Sequence, residues 1–180
     1  SAAVGATGRE RRRRALLIGV CDYLRFPKRV LEGPATDVRR VRGLLEGRGV
    51  EDITILADRL PESTGAPTRA NVLQAFHAMT QRVQPGDFLF FYFSGHGAQQ
   101  PAHLDPDNPE WDELDEVLLP ADAGPAVRGR GIQNAIVDDE IGAFLTECRR
   151  RGAFVWSVID ACHAGDGARA GALLPEGAVE

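Results

Sequence analysis

Apolar residues fall into two patterns along this chain. Four runs are apolar at nearly every position: Ala15 to Cys21 (ALLIGVC), Ile53 to Leu56 (ITIL), Phe88 to Phe93 (FLFFYF) and Ala153 to Ile159 (AFVWSVI). Short runs of this kind, bounded by turn residues, read as strands covered on both faces. Between them the spacing becomes helical. Val38, Val41, Leu44 and Leu45 share one face of a segment that Thr36 or Asp37 can cap and that Gly47 and Gly49 end. Thr68 caps a second helix with Val72, Phe76, Met79 and Val83 inward, and Pro85-Gly86 turns the chain into the third strand. Asp138 or Asp139 opens a third, with Ile141, Phe144, Leu145 and Cys148 inward, and Gly152 closes it. Strands alternating with amphipathic helices imply parallel pairing and right-handed crossovers. The predicted fold is α/β: a three-layer α/β/α sandwich with a mainly parallel sheet.

About forty residues, 97–137, separate the third strand from the third helix, more than a plain connection needs, and Val117 to Leu119 reads as a short strand within them. Residues 1–14 read as a flexible basic leader, 15–165 as one domain, and 166–180 as a small-residue tail or linker. The leader holds Arg9 and the four arginines Arg11 to Arg14; a solvated leader is the simpler reading than a nucleic-acid arm. The net charge of −5 gives no general pull toward nucleic acid or an anionic membrane. No apolar run approaches the roughly 20 residues that span a bilayer, and the N-terminus lacks the apolar stretch of a secretory signal. Three widely spaced cysteines make neither a disulfide framework nor a zinc site, so a reducing cytoplasm fits best.

Two strand ends carry reactive groups. The third strand runs into Ser94-Gly95-His96-Gly97, and the fourth into Asp160-Ala161-Cys162-His163-Ala164-Gly165. In sheets of this class ligands bind beyond the carboxyl ends of the strands. If the two strands are neighbours, His96 and Cys162 face each other at that rim, with His96 held at the tip of a rigid apolar post. A thiol is a poor nucleophile until it loses its proton, and a nearby imidazole can take that proton and later return it to a leaving amine. The backbone N–H groups of Gly97 and Cys162 can together form an oxyanion hole. His163 is the rival base, but adjacent residues of an extended chain point to opposite faces, which favours His96. Asp160 shares the side of Cys162. A carboxylate at a buried strand end needs compensation, either from a cationic substrate group or from orienting His96. Asp37 can add a second carboxylate to this rim or serve as an ordinary helix cap. Cys21 and Cys148 read as packing residues.

The stretches YFSGHGAQ and DACHAG resemble the histidine and cysteine motifs of the metacaspases, within the caspase-like cysteine peptidases, and LLIGVCDY followed by ATDVRRVRGLL resembles that family's first strand and helix. The similarity covers about 14–165. It implies a caspase-like sandwich and a Cys162–His96 dyad. It also implies cleavage of protein or peptide substrates after Arg or Lys, with Asp37, Ser94 and Asp160 at the basic-pocket positions. Many members need calcium, and the matching acidic positions are Asp138 and Asp139 with Asp112 or Asp115, hard oxygen donors suited to that ion. The plain alternative is a helix cap and a solvated face. Ala164 stands where the family usually has Ser. The family's small-subunit-like second part, normally two further strands and helices, does not appear in this sequence and is expected as a partner. A caspase-like regulatory or binding module without turnover is the competing function.

Overall fold

β1 (Arg13–Gly19) begins two residues before its apolar run, where Arg14 pairs with the carboxylate of Asp52. In this computed structural model residues 10–101, 114–128 and 130–163 are described, with the backbone alone at Pro101, Leu114, Cys162 and His163. The elements that follow are α1 (Pro34–Glu46), β2 (Asp52–Ala57), α2 (Arg69–Arg82), β3 (Phe88–Pro101), β4 (Leu114–Leu118), β5 (Ala126–Val127), β6 (Gly131–Ile132), β7 (Ile136–Val137), α3 (Asp138–Arg150) and β8 (Phe154–His163).

The sheet is mixed. β1 pairs in parallel with β2 and β3, and β3 pairs in parallel with β8, while β4 runs antiparallel to both β3 and β7. The parallel expectation holds for the four apolar runs; the antiparallel part comes from the long connection. Alternation divides the side chains of β1 and β3 between two cores. Leu16, Ile18, Leu89, Phe91 and Phe93 pack with the inward residues of α2 and α3. Ala15, Leu17, Phe90 and Tyr92 pack with Val38 and Leu45 of α1. This gives the three layers. Phe76 of α2 stacks on Phe144 of α3 at 4.3 Å, and both meet Phe91 edge-on. Burying each such side chain contributes about 1.5–3 kcal/mol.

Four details differ from the sequence pattern. α1 starts at Pro34, so Thr36 and Asp37 lie in its first turn instead of capping it; Pro supplies the helical φ without needing an N–H partner. Leu44 is 60% exposed, because the face toward the sheet is carried by Val38 and Leu45. β3 does not stop near His96 but continues to Pro101, since β4 supplies partners for Gly97 to Pro101. β8 is not covered on both faces: Phe154 and Trp156 are 69% and 59% exposed. Among the described residues β3 is its sole strand partner, and α1 covers β1 and β2 on the face where those rings stand.

The helix ends beneath the rim are locked by charge. Arg69 grips Glu140 in a bidentate pair (2.8 and 2.5 Å) and donates to the Ala135 carbonyl, while Glu140 accepts the Val137 N–H at 3.1 Å. Burial opposes ionisation of Glu140, but the hydrogen bonds from Arg69 and Val137 outweigh it and hold the carboxyl below its usual 4.5. A depressed carboxyl stabilises the fold above its unfolded value and loses that contribution as pH falls through the folded one. Glu140→Gln is therefore expected to cost about 1–2 kcal/mol in urea unfolding at pH 7. The gap between the two proteins should close as pH is lowered below 4.5. A gap that is constant with pH would show that the carboxylate charge contributes nothing.

Candidate active site

Register brings the two reactive stretches together. β3 and β8 pair Ser94 with Asp160, His96 with Cys162 and Gly97 with His163. Paired residues of parallel strands share a face, so positions 94, 96, 160 and 162 lie on one side of the sheet, the side of α1. The α1 helix approaches closely there: a Cβ on Gly19 would stand 2.8 Å from Val38 Cγ2 and 3.1 Å from the Pro34 carbonyl oxygen. That approach sets the first turn of α1, with half-buried Asp37, over the same end of the sheet.

The imidazole of His96 is half-buried, and one ring nitrogen, Nε2, lies 2.9 Å from the backbone carbonyl of Arg29. A carbonyl only accepts, so Nε2 carries the hydrogen and Nδ1 the lone pair. Nδ1 is buried and has no partner among the described residues, the state of a base with a proton still to take. Burial is the main influence lowering the His96 pKa below 6.5. The Arg29 carbonyl works against it and the Arg29 charge with it. At neutral pH the ring is uncharged and able to accept. The orienting group is thus a main-chain carbonyl, and Asp160, an exposed residue, is not the partner of Nε2. The expectation that Asp160 sits at a buried strand end does not hold, because β8 has no strand beyond it among the described residues.

Ser94 is buried, whereas Asp160 is open to solvent. Tyr92 lies one alternation below Ser94 on the same face. Burial first raises its phenol pKa; a hydrogen bond with Ser94 lowers it, and the charges of Asp160 and Asp37 raise it further. The charges of Asp160 and Asp37 thus both reach the Tyr92 phenol, which is hydrogen-bonded with Ser94. Gly97 is buried, with Leu118 and His163 as strand partners. Cys21 and Cys148 are free and buried. Desolvation leads in pushing the Cys21 thiol up to about 11 and also raises Cys148, so neither is a ready nucleophile at neutral pH.

Asp138 and Asp139 are exposed at the start of α3, where the Asp139 N–H bonds the Asp138 carboxylate at 3.0 Å; Asp115 is half-buried on β4. Among the described residues no three His, Cys, Asp or Glu side chains converge as a cation site, and Asp112 lies outside them. The tail at 166–180 also lies outside. Two parts of the site were missed from sequence: the Arg29 carbonyl, which no side-chain pattern can flag, and Tyr23, which lies in an irregular loop without periodic spacing.

A metacaspase, peptidase C14 domain model matches residues 13–169. Metacaspase-1A of Aspergillus fumigatus is 37% identical over 157 residues, which is 86% of this chain and 35% of that protein. Metacaspase-1 of Emericella nidulans is 37% identical over the same share of this chain and 36% of its own length. The chain thus spans about a third of the length of these curated relatives. The crystal structure of protein GSU0716 from Geobacter sulfurreducens shares the fold with a TM-score of 0.63 at 26% identity, covering 86% of this chain and 52% of that one. The order of strands and helices, the histidine and cysteine stretches in register, and a family match over most of its length agree: the chain belongs to the metacaspase family of C14 peptidases.

Proposed function

We propose that this chain is the catalytic part of a cysteine endopeptidase that cuts after Arg or Lys. The observation that carries the reading is the register of His96 opposite Cys162, with the histidine lone pair on a buried Nδ1 that has no partner among the described residues. In the proposed reaction Nδ1 takes the proton of the Cys162 thiol, and the thiolate sulfur bonds to the scissile carbonyl carbon. The N–H groups of Gly97 and Cys162 receive the oxyanion, a kind of contact worth roughly 3–4 kcal/mol per donor. The C–N bond then breaks and the amine leaves with the proton from Nδ1. Water, losing a proton to Nδ1, attacks the thioester and releases the acid and the free thiol. The Arg29 carbonyl steadies the imidazolium at Nε2 while the ring holds that extra proton.

Asp37, Ser94 and Asp160 form the proposed pocket for the cationic side chain, supported by the charges of both carboxylates reaching Tyr92, to which Ser94 is hydrogen-bonded. For calcium, Asp138 and Asp139 are donors of the right chemistry; Asp115 does not join them in a three-carboxylate cluster, which leaves Asp112 as the proposed third. A small-subunit-like partner is supported by the exposed Phe154, Trp156 and Val158 on β8. The same exposure favours one competing reading, that the chain by itself is a binding module and turns over only with its second part. No helix among the described residues is long and apolar enough to cross a membrane. The free buried thiols fit a cytoplasmic setting.

A peptidyl-Arg acyloxymethyl ketone tests the function. The expected result is a covalent adduct mapped by mass spectrometry to Cys162, formed much faster than with the matching peptidyl-Asp reagent. Its rate should fall on the acid side with a midpoint below pH 6.5, as the depressed His96 requires. An adduct on Cys21 or Cys148, or preference for the Asp reagent, would overturn the assignment. Labelling of Cys162 without turnover would favour the module.

A further inference from the structure

Tyr23 lies in the segment that leaves β1. It is 2% exposed and touches His96 twice. Its hydroxyl oxygen accepts the backbone N–H of His96 at 2.7 Å, and its ring centroid stands 4.9 Å from that of the imidazole, tilted by 43°. The hydroxyl can in turn donate to the Val20 carbonyl at 3.5 Å. Gly95 leaves the room: a Cβ there would meet Tyr23 Oη and Phe93 Cζ, each at 3.0 Å.

The place of this contact along β3 is informative. A residue in an extended strand turns its N–H and C=O to the same edge, and residues two apart share that edge. On the β1 edge, Ser94 O accepts Val20 N–H at 2.9 Å, and His96 O accepts Leu119 N–H at 3.0 Å. At His96, therefore, β1 has already left the edge, and the segment following β4 supplies a donor but no acceptor for the His96 N–H. The Tyr23 hydroxyl fills that gap in the ladder. A phenylalanine would pack equally well but would leave this N–H without its acceptor. The same loop then delivers the Arg29 carbonyl to Nε2. The loop itself is pinned: Asp58 accepts the N–H groups of Cys21 and Asp22 at 2.7 Å each, and Arg59 pairs with Asp22 and Glu32.

We infer that Tyr23 is a positioning residue for the catalytic base: its hydroxyl fixes the main chain of His96 in the seam between β1 and β4, and its ring holds the imidazole against the Arg29 carbonyl. This rests on the proposed role of His96. Two variants test it. Tyr23→Phe keeps the ring and should lower kcat on an Arg peptide about tenfold with KM within about twofold, the mark of a misplaced reacting group. Tyr23→Leu removes the ring. The ¹⁵N spectrum of the His96 imidazole, which needs no substrate, should change from a single Nε2–H tautomer to a mixture. Wild-type kcat in Tyr23→Phe, or a single tautomer in Tyr23→Leu, would overturn the inference. Should the protein show no turnover with Arg peptides, the peptidase reading fails, while the tautomer spectrum still decides for or against Tyr23. Should Tyr23→Leu fail to fold, kcat and the spectrum of Tyr23→Phe decide.

Discussion

Cys162→Ala is expected to reduce peptide cleavage to assay background, a loss of about 10⁴-fold or more by comparison with other nucleophile deletions, while the protein stays folded. The substitution removes one sulfur atom from a position at the C-terminal end of β8. Position 162 is the last but one of β8, at the rim of the sheet. The thermal midpoint should therefore stay within about 3 °C of wild type, as for substitutions outside the core. His96→Ala should abolish cleavage as completely, but it is the less clean experiment, because the imidazole packs on Tyr23 and bonds to Arg29. His163→Ala should be milder, since position 163 alternates away from the face shared by 96 and 162. Turnover retained in Cys162→Ala would remove the nucleophile assignment outright.

Asp160→Asn should separate recognition from chemistry. Position 160 stands in register with Ser94, and the partner of Nε2 is the Arg29 carbonyl. The proposed task of the Asp160 carboxylate is to receive a guanidinium or ammonium group. Losing one charge-assisted pair of that kind costs about 2–3 kcal/mol, or roughly 30- to 150-fold. Cleavage of Arg peptides should fall by that factor. Alkylation of Cys162 by iodoacetamide, small and uncharged, should stay within about twofold of wild type. If alkylation falls as far as cleavage, Asp160 serves the Cys162–His96 pair and not the pocket.

What could be read from sequence followed the strength of the apolar signal. The first and third strands and the inward faces of α2 and α3 are visible because their burial is nearly complete, and Val72, Phe76, Met79 and Val83 are all buried. The continuation of β3 was not legible. Ser94 to Gln100 is polar and glycine-rich, and it is extended because β4 and β8 pair with it, which is a tertiary cause. The exposure of Trp156 was hidden for the opposite reason: an apolar strand at the margin of a sheet reads like one in the middle. Of the site, the residue types and their rim were legible from strand order, whereas the Arg29 carbonyl and the Tyr23 hydroxyl belong to a loop whose path no periodicity encodes.

The central place of β3 also has a kinetic consequence. Its ladder partners β1 and β8 lie dozens of residues before and after it in the chain, so no local turn can nucleate either pairing. Loop-closure entropy must be met before those contacts reward it, which puts the domain among the slower, high-contact-order folders. The helices can form early, but the histidine and cysteine positions come into register only when β8 closes on β3. Acquisition of the site should therefore track the final, non-local phase of folding.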